Sequence, residues 1–198
     1  MNINCRAIRQ TEIKDSGGMT FAEGVRTLLR QDPDVIFIGE IRDEETARMA
    51  IRASMTGHLV FTTFHTQNVF GVFPRLLDLK LSPALLEGNI KAIFSQRLLR
   101  KLCPSCKQRS IVDSRIIFTS KGCDYCHHTG YRGRTNITEI LQITEEIETL
   151  INTQAPMSQL RHKATSEGFQ DLRYVAQQNV YAGETSWDEF YRVLGKSQ

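Results

Sequence analysis

Four of the five cysteines fall into two pairs, Cys103-x2-Cys106 and Cys123-x2-Cys126, with sixteen residues between the pairs. Each Cys-x2-Cys is a tight turn able to aim two thiolates at one ion, and this spacing is a strong zinc signature. Four sulfurs at about 2.3 Å complete a tetrahedral shell and leave no open position, so the Zn2+ expected here is structural and not catalytic. Such sites contribute about 10–16 kcal/mol in zinc-finger peptides, enough to fold a loop with little apolar core. A redox role fits less well, because that chemistry wants one pair at a helix start after a strand. His127 and His128 are spare ligand candidates, although four cysteines suffice, and Cys5 stands alone.

A second reactive group lies in DPDVIFIGEIRD, residues 32–43, and TGHLVFTTFHT, residues 56–66. Val35–Ile38 is a short apolar strand that runs into Gly39 and then a bare carboxylate, Glu40. Leu59–Phe64 is a second strand, begun by His58 and ending in Thr62, Thr63 and His65. In an open parallel sheet, ligands bind outside the carboxyl ends of the strands. A carboxylate there can orient or deprotonate water, His65 can donate to a phosphate oxygen, and Gly39 lets the backbone approach a ligand. Taken singly, an acid after a strand is more often a helix cap or salt-bridge partner, and His58 more often a turn residue. The complete string is more specific than its parts.

These residues need elements to hold them. Thr20-Phe21-Ala22-Glu23 reads as a capping box opening a helix that ends before Asp32-Pro33. Asp43 can cap a helix through Met55, with Glu44 and Glu45 in its first turn and Gly57 past its end. Strand, helix and strand with short joints form a βαβ unit, hence parallel strands. Both strands are continuous apolar runs, as expected of a sheet covered on both faces. Asn68–Leu79 reads as a helix interrupted or kinked at Pro74. Ser82-Pro83 is a helix start, and the pattern predicts a long helix to about Leu102. The segment 103–126 reads as loop, and residues from Thr144 as short helices, the last opened by a capping box at Ser186-Trp187-Asp188-Glu189. Gly17-Gly18 reads as a turn.

LRQDPDVIFIGEIRDEETARMAI and TGHLVFTTFHT resemble the Walker B and histidine boxes of the secretion ATPase superfamily, the hexameric motors of type II secretion and type IV pilus assembly. QRLLRKLCPSC and GCDYCHHTGYRGRTNITEIL resemble the tetracysteine region of its secretion and assembly branch, and GETSWDEFYRVL its closing helix. The resemblance implies an α/β fold: an incomplete P-loop, RecA-like core over 1–102, a tetracysteine zinc subdomain over 103–135, and a C-terminal strand and helical subdomain over 136–198. It implies that Glu40 is the catalytic glutamate acting on water, that His65 faces the γ-phosphate, and that Gly39 and His58 belong to the nucleotide site. Arg42 and Asp43 complete the Walker B string in structural or inter-subunit roles. It also implies a homo-hexamer in the cytoplasm, held at the bacterial inner membrane through a platform protein and using ATP and Mg2+.

The departures bear on activity. A phosphate loop would read G-x-x-x-x-G-K-[ST]. Gly195-Lys196-Ser197 has Phe190 in place of the first glycine, so it is a chance match. Without that loop the isolated chain is expected neither to bind nor to hydrolyse ATP, and its two-stranded remnant is expected to invite association. Glu87, Asn89 and Lys91 break a surface that is nearly apolar in the family, and Gln67 replaces an asparagine.

A formal charge of +3 is too small to argue for nucleic acid. No apolar run approaches the roughly 18 residues of a membrane span, and no leader precedes the first patterned segment. Competing readings are a zinc-ribbon binding module without enzymatic activity and a structural partner that caps an intact motor. Tyr131-Arg132-Gly133-Arg134 is either a solvated knuckle surface or a contact for a neighbouring subunit or membrane-platform partner.

Overall fold

The computed structural model describes residues 8–13, 18–112 and 115–196. Cys5, Gly17 of the expected turn and Ser197 of the chance match lie outside the described residues. The chain divides into two compact units. One comprises Met1–Thr66, Phe70–Lys91 and Glu148–Ala155, and the other Gln67–Val69, Ala92–Ile147 and Pro156–Gln198.

The first unit contains α1 (Phe21–Leu28), β1 (Val35–Ile38), α2 (Glu44–Met55), β2 (Leu59–Thr62), α3 (Val72–Asp78) and α4 (Pro83–Leu86). The Thr20 hydroxyl accepts from the Glu23 amide while the Glu23 carboxylate accepts from the Thr20 amide, so the expected capping box opens α1. Strands β1 and β2 pair in parallel, from Val35 opposite Leu59 to Ile38 opposite Thr62, around α2 as the crossover. Ile36 and Ile38 are buried on one face, as are the small side chains Ala47, Ala50 and Ala53 of α2.

Two expectations change here. The sheet is covered on one face, while Val35, Phe37, Leu59 and Phe61 stand 53%, 66%, 50% and 47% exposed. The apolar runs therefore record a face that nothing in this unit covers. Pro74 does not kink a helix either, because α3 begins only at Val72, after a 3-10 turn at Val69–Gly71. Pro74 thus falls in the first helical turn, where an amide would have no intrahelical partner.

The second unit is built on β3 (Ala92–Leu102) and β6 (Tyr131–Gln142), paired antiparallel from Ala92 opposite Gln142 to Leu102 opposite Tyr131. Between them, β4 (Lys107–Val112) and β5 (Arg115–Ser120) form a hairpin. Helix α5 (Glu145–Asn152) crosses the unit boundary, and α6 (Met157–Ser166), α7 (Leu172–Tyr181) and α8 (Trp187–Leu194) follow. Leu99 and Ile137 pack with Leu172, Ala176, Val180 and Phe190, so α7 and α8 cover one face of the sheet.

The long helix expected over 82–102 is one turn, α4, followed by an 11-residue strand. The Ser82-Pro83 start is real, but Glu87 turns extended and Gly88 takes φ +69°. The Asn89 amide then caps the carbonyls of Leu85 and Glu87. Pairing with β6 and burial of Ile93 and Leu99 override helical propensity beyond that point. Likewise, the segment expected to be loop carries the β4–β5 hairpin. Lys107 closes it by donating to the Gly183 carbonyl at 3.0 Å and lying 5.0 Å above the Phe118 ring.

Candidate functional site

In the first unit, in-register parallel pairing ends β1 and β2 side by side, which sets Gly39-Glu40 beside Thr63–His65. The Thr63 hydroxyl donates to the Gly39 carbonyl at 2.6 Å, tying the two strand ends together. Glu40 Oε2 lies 3.4 Å from His65 Nε2, and Glu40 Oε1 forms an ion pair with Arg42. The Arg42 guanidinium holds the Glu40 carboxyl below the ordinary carboxylate range; His65 acts in the same sense, and partial burial opposes both. The carboxylate is therefore ionised at neutral pH, as an acceptor of a water proton must be.

A Cβ built on Gly39 would meet nothing within 4 Å, so packing inside the unit does not demand glycine there. The Thr62 hydroxyl is buried and lacks a hydrogen-bond partner among the described residues, whereas Thr63 takes part in the edge. His58 stays apart. It lies at the opposite end of β2, with Nδ1 3.0 Å from both the Ala53 carbonyl and the Thr56 hydroxyl at the α2 C-terminus. The resemblance placed Arg42 in the Walker B string in a structural or inter-subunit role; its ion pair with Glu40 was not anticipated.

Asp43 caps α2 as expected, accepting from the Thr46 amide at 2.8 Å and the Thr46 hydroxyl at 2.9 Å. One-residue steps in the sequence thus alternate between the edge and its scaffold. Glu40 and Arg42 pair at the edge, while Ile41 is buried and Asp43 fixes the helix that covers the sheet.

The second unit brings all four predicted cysteine ligands together. Cys103 follows β3, Cys106 precedes β4, and Cys123 opens and Cys126 ends a 3-10 turn at Asp124–Cys126 just before β6. Their sulfurs all lie within 4.8 Å of one another. Three of the separations are 3.9 Å for Cys103–Cys123, 3.8 Å for Cys106–Cys126 and 3.8 Å for Cys123–Cys126. A disulfide would need about 2.05 Å. A tetrahedron with metal–sulfur bonds of about 2.3 Å has edges of about 3.8 Å, so the cluster fits one four-coordinate ion.

Surrounding groups favour a thiolate at Cys126, whereas at Cys123 a backbone hydrogen bond from Cys126 is outweighed by burial and the neighbouring sulfurs, which push the thiol up to about 11. Amides of Cys123 and Gly130 donate to Cys126 Sγ at 3.2 and 3.3 Å, and the Ser120 hydroxyl lies 2.9 Å from Cys106 Sγ. Burial pushes the Cys126 thiol up, but the two backbone donors outweigh it and hold it well below an ordinary thiol. Gly122 adopts φ +87°, and a Cβ there would sit 2.5 Å from the His128 carbonyl, so the turn into Cys123 requires glycine. His128 pairs with Asp124 at 3.0 Å on the exposed side, and the cluster is made by the cysteines alone. The Arg132 guanidinium lies 3.9 Å over the Tyr125 ring and donates to the Tyr125 carbonyl, so this cation clamps the second cysteine turn.

Among known proteins, the family described as "Type II/IV secretion system protein" matches residues 1–192. The chain is similar to the type II secretion system ATPase E of Vibrio cholerae, 40% identical over 203 residues, covering 96% of this chain and 40% of that protein. It is also similar to the type IV pilus assembly ATPase TfpB of Acinetobacter baylyi, 37% identical over 203 residues, covering 95% of this chain and 35% of that protein. Among solved structures, the pilus retraction motor PilT with bound ADP superposes with a TM-score of 0.65 at 27% identity, covering 90% of this chain and 44% of that one. The chain thus spans about two fifths of the length of the curated relatives it matches.

Proposed function

Because the chain belongs to the type II/IV secretion system protein family, we propose that its 198 residues are the C-terminal portion of a hexameric motor ATPase serving type II secretion or type IV pilus assembly. In this reading the RecA-like core extends to about residue 102, the zinc subdomain covers 103–135, and the C-terminal subdomain covers 136–198. Glu40 orients or deprotonates the attacking water, and His65 donates to the γ-phosphate. Gly39 leaves the strand tip open to a ligand, and His58, at the far end of β2, fastens the α2–β2 turn. The grip on ATP and Mg2+ requires a phosphate loop that these residues do not contain, so the chain alone neither binds nor hydrolyses ATP.

The observation that carries the reading is the meeting of Glu40 and His65 at the carboxyl ends of two parallel strands. Arg42 keeps Glu40 ionised, which suits a water-orienting base. The cluster of four cysteine sulfurs supports one structural Zn2+, held by Cys103, Cys106, Cys123 and Cys126. No helix among the described residues is long and apolar enough to cross a membrane. In this reading the motor works on the cytoplasmic side of the inner membrane, held there by a platform protein.

The test is a fusion of this chain to the upstream, phosphate-loop half of the Vibrio cholerae relative. The fusion should hydrolyse Mg-ATP, and Glu40→Gln should lower turnover by about 10²-fold or more. Calorimetry of the isolated chain should show no Mg-ATP binding. Turnover indifferent to Glu40→Gln, or robust hydrolysis by the isolated chain, would overturn the proposal.

A further inference from the structure

Positive charge in this chain is concentrated beside the cysteine cluster. Residues 103–135 hold six lysines and arginines against two aspartates, while the rest of the chain holds nineteen against twenty acids. Within the second unit, a groove of about 440 Å³ is lined by Lys101, Leu102, Pro104, Lys107, Arg132 and the residues Ala182–Glu184 between α7 and α8. Its size is that of a ligand-binding cleft.

Three walls meet there, and each is pinned. The first is the chain around Cys103: Leu102 and Pro104 flank that ligand, and the Leu102 amide donates to the Glu184 carbonyl at 2.8 Å. The second is Arg132, whose guanidinium lies 3.9 Å over the Tyr125 ring while Nη1 donates to the Tyr125 carbonyl. Tyr125 itself lies between Cys123 and Cys126. The third is the loop 182–184. Lys107 Nζ donates to the Gly183 carbonyl at 3.0 Å, and a Cβ on Gly183, at φ +68°, would stand 2.7 Å from the Phe118 ring. The groove is therefore assembled on both cysteine turns, and an ion on the four sulfurs would hold its walls in register.

The cations of the groove differ in how they are engaged. Lys107 serves the Gly183 carbonyl. Arg132 uses one nitrogen on Tyr125, and a guanidinium carries five N–H donors in a fixed fork. Lys101 is exposed, and no acid pairs with it among the described residues. Two available positive groups and an apolar surface, Pro104 and Ala182, thus share one recess.

That combination selects among anions. Carboxylates on a flexible chain can meet Arg132 bidentately and Lys101 as a point charge. Single-stranded nucleic acid needs aromatic faces for its bases. Here Tyr125 and Tyr131 each already carry a guanidinium, Arg132 on the first and Arg100, at 4.2 Å, on the second. A bilayer presents a plane of headgroups, whereas these cations line a recess that also contains the acid Glu184.

We propose that this groove docks an acidic peptide segment of a partner protein: Arg132 and Lys101 take two of its carboxylates, and Pro104 and Ala182 take an apolar side chain between them. Because both cysteine turns form the walls, docking requires the metal; that requirement rests on the reading of the four sulfurs as a zinc site.

The test uses the full zinc-loaded chain and a fluorescein-labelled peptide, Glu-Glu-Leu-Glu-Glu-Leu-Glu-Glu, followed by anisotropy at about 0.15 M salt. The peptide should bind saturably, and the same peptide with glutamine in place of glutamate should bind roughly tenfold more weakly or worse. Lys101→Glu and Arg132→Ala should each weaken binding about fivefold or more, with zinc content unchanged. Lys196→Glu makes the same change of charge elsewhere in the unit. Arg173, near the start of α7, donates to the Gly195 carbonyl at 3.1 Å, so Lys196 sits at the opposite end of α7 from Ala182. That helix is about 15 Å long, more than the screening length, so Lys196→Glu should change the affinity by less than about twofold. Chelation should weaken binding roughly tenfold or more, and added zinc should restore it.

The proposal falls if the peptide does not bind, if Lys101→Glu binds it as wild type does, or if binding survives complete metal loss. It also falls if phosphatidylglycerol vesicles or poly(U) RNA bind more tightly than the peptide and lose that binding in Lys101→Glu. Sedimentation that shifts to smaller species in Lys101→Glu would make the occupant a second copy of this chain and overturn it likewise. If Arg132→Ala loses zinc, Lys101→Glu decides by the same readout. A purified chain without zinc would sink the metal reading, whereas indifference to Lys101→Glu sinks the docking site, so the two failures are distinct.

Discussion

Tyr131 Oη and Ser186 Oγ lie 2.6 Å apart and join the first residue of β6 to the N-cap of α8. The bond is one of several between the cysteine turns and the loop ahead of that helix. The Leu102 amide donates to the Glu184 carbonyl at 2.8 Å, and the Thr185 hydroxyl donates to the Arg100 carbonyl at 2.8 Å. One step away, the Cys103 amide donates to the Gly130 carbonyl at 2.9 Å. An ion that fixes the cysteine turns therefore also fixes the strand ends on which α8 is mounted.

Metal removal should accordingly be felt at Trp187, the first residue of α8. The purified chain should carry one zinc per polypeptide by atomic emission, and Cys126→Ser should carry almost none. Chelation should lower the thermal midpoint of Trp187 emission by roughly 10 °C or more. An unchanged midpoint after complete metal loss would show that the cysteine turns hold themselves.

Glu189 should make the second unit sensitive to acid. Its side chain is fully buried and meets Arg100 at 2.7 Å and Arg192 at 2.6 Å. Burial pushes its pKa up, but hydrogen bonds from the two guanidinium groups and the Arg100 amide outweigh that and bring it to about 2 from 4.5. A carboxyl depressed in the folded state stabilises above its unfolded pKa and loses that contribution as pH falls toward the folded value. The shift corresponds to at most about 3 kcal/mol, present at pH 7 and fading between about pH 4.5 and 2. Urea titrations followed by Trp187 should place Glu189→Gln below wild type at pH 7, and the gap should shrink by more than half at pH 3. Comparing the two proteins at the same pH cancels the shared response of the cysteines. A gap that stays constant with pH would rule out this ionisation as its source.

What the sequence disclosed depended on how local the cause was. The cysteine turns and the Asp43 and Thr20 caps are set within a few residues, and all are found where their spacing puts them. The βαβ unit was legible from two apolar runs around a capped helix. Strand β3 was hidden because its partner lies some thirty residues further on, and a genuine helix start at Ser82-Pro83 pointed the other way. The expected capping box at Ser186 forms only by half. Its hydroxyl accepts from the Glu189 amide, while the Glu189 carboxylate turns to arginines. The role of Glu189 depends on a partner 89 residues away, which no local pattern encodes.

Asp43 tests the helix that carries the edge. Its carboxylate holds both the amide and the hydroxyl of Thr46, a residue only 1% exposed. Losing such a cap costs about 1–2 kcal/mol. Asp43→Ala should therefore speed exchange of the Thr46 amide by roughly 5- to 30-fold, and Asp43→Asn, which retains an acceptor oxygen, should recover most of the protection. Equal exchange in the alanine and asparagine variants would mean that charge, not capping, holds the helix start.

The open face of the β1–β2 sheet should govern association of the isolated chain. Val35, Phe37, Leu59 and Phe61 are about half or more exposed, and the strand register sets Val35 opposite Leu59 and Phe37 opposite Phe61. Contiguous apolar surface of this kind drives self-association or dye binding when nothing covers it. None of these four strand residues is charged. Phe37→Lys and Phe61→Lys each place a cation in the middle of the face without touching buried Ile36 or Ile38. Both should weaken binding of an apolar fluorescent dye and shift sedimentation toward smaller species, with additive effects in the double variant. The midpoint reported by Trp187, in the other unit, should not move. If the double variant binds dye and associates as strongly as wild type, the adhesive surface lies elsewhere, and Phe94, Leu98 and Ile140, exposed on one face of the β3–β6 sheet, become the next residues to change.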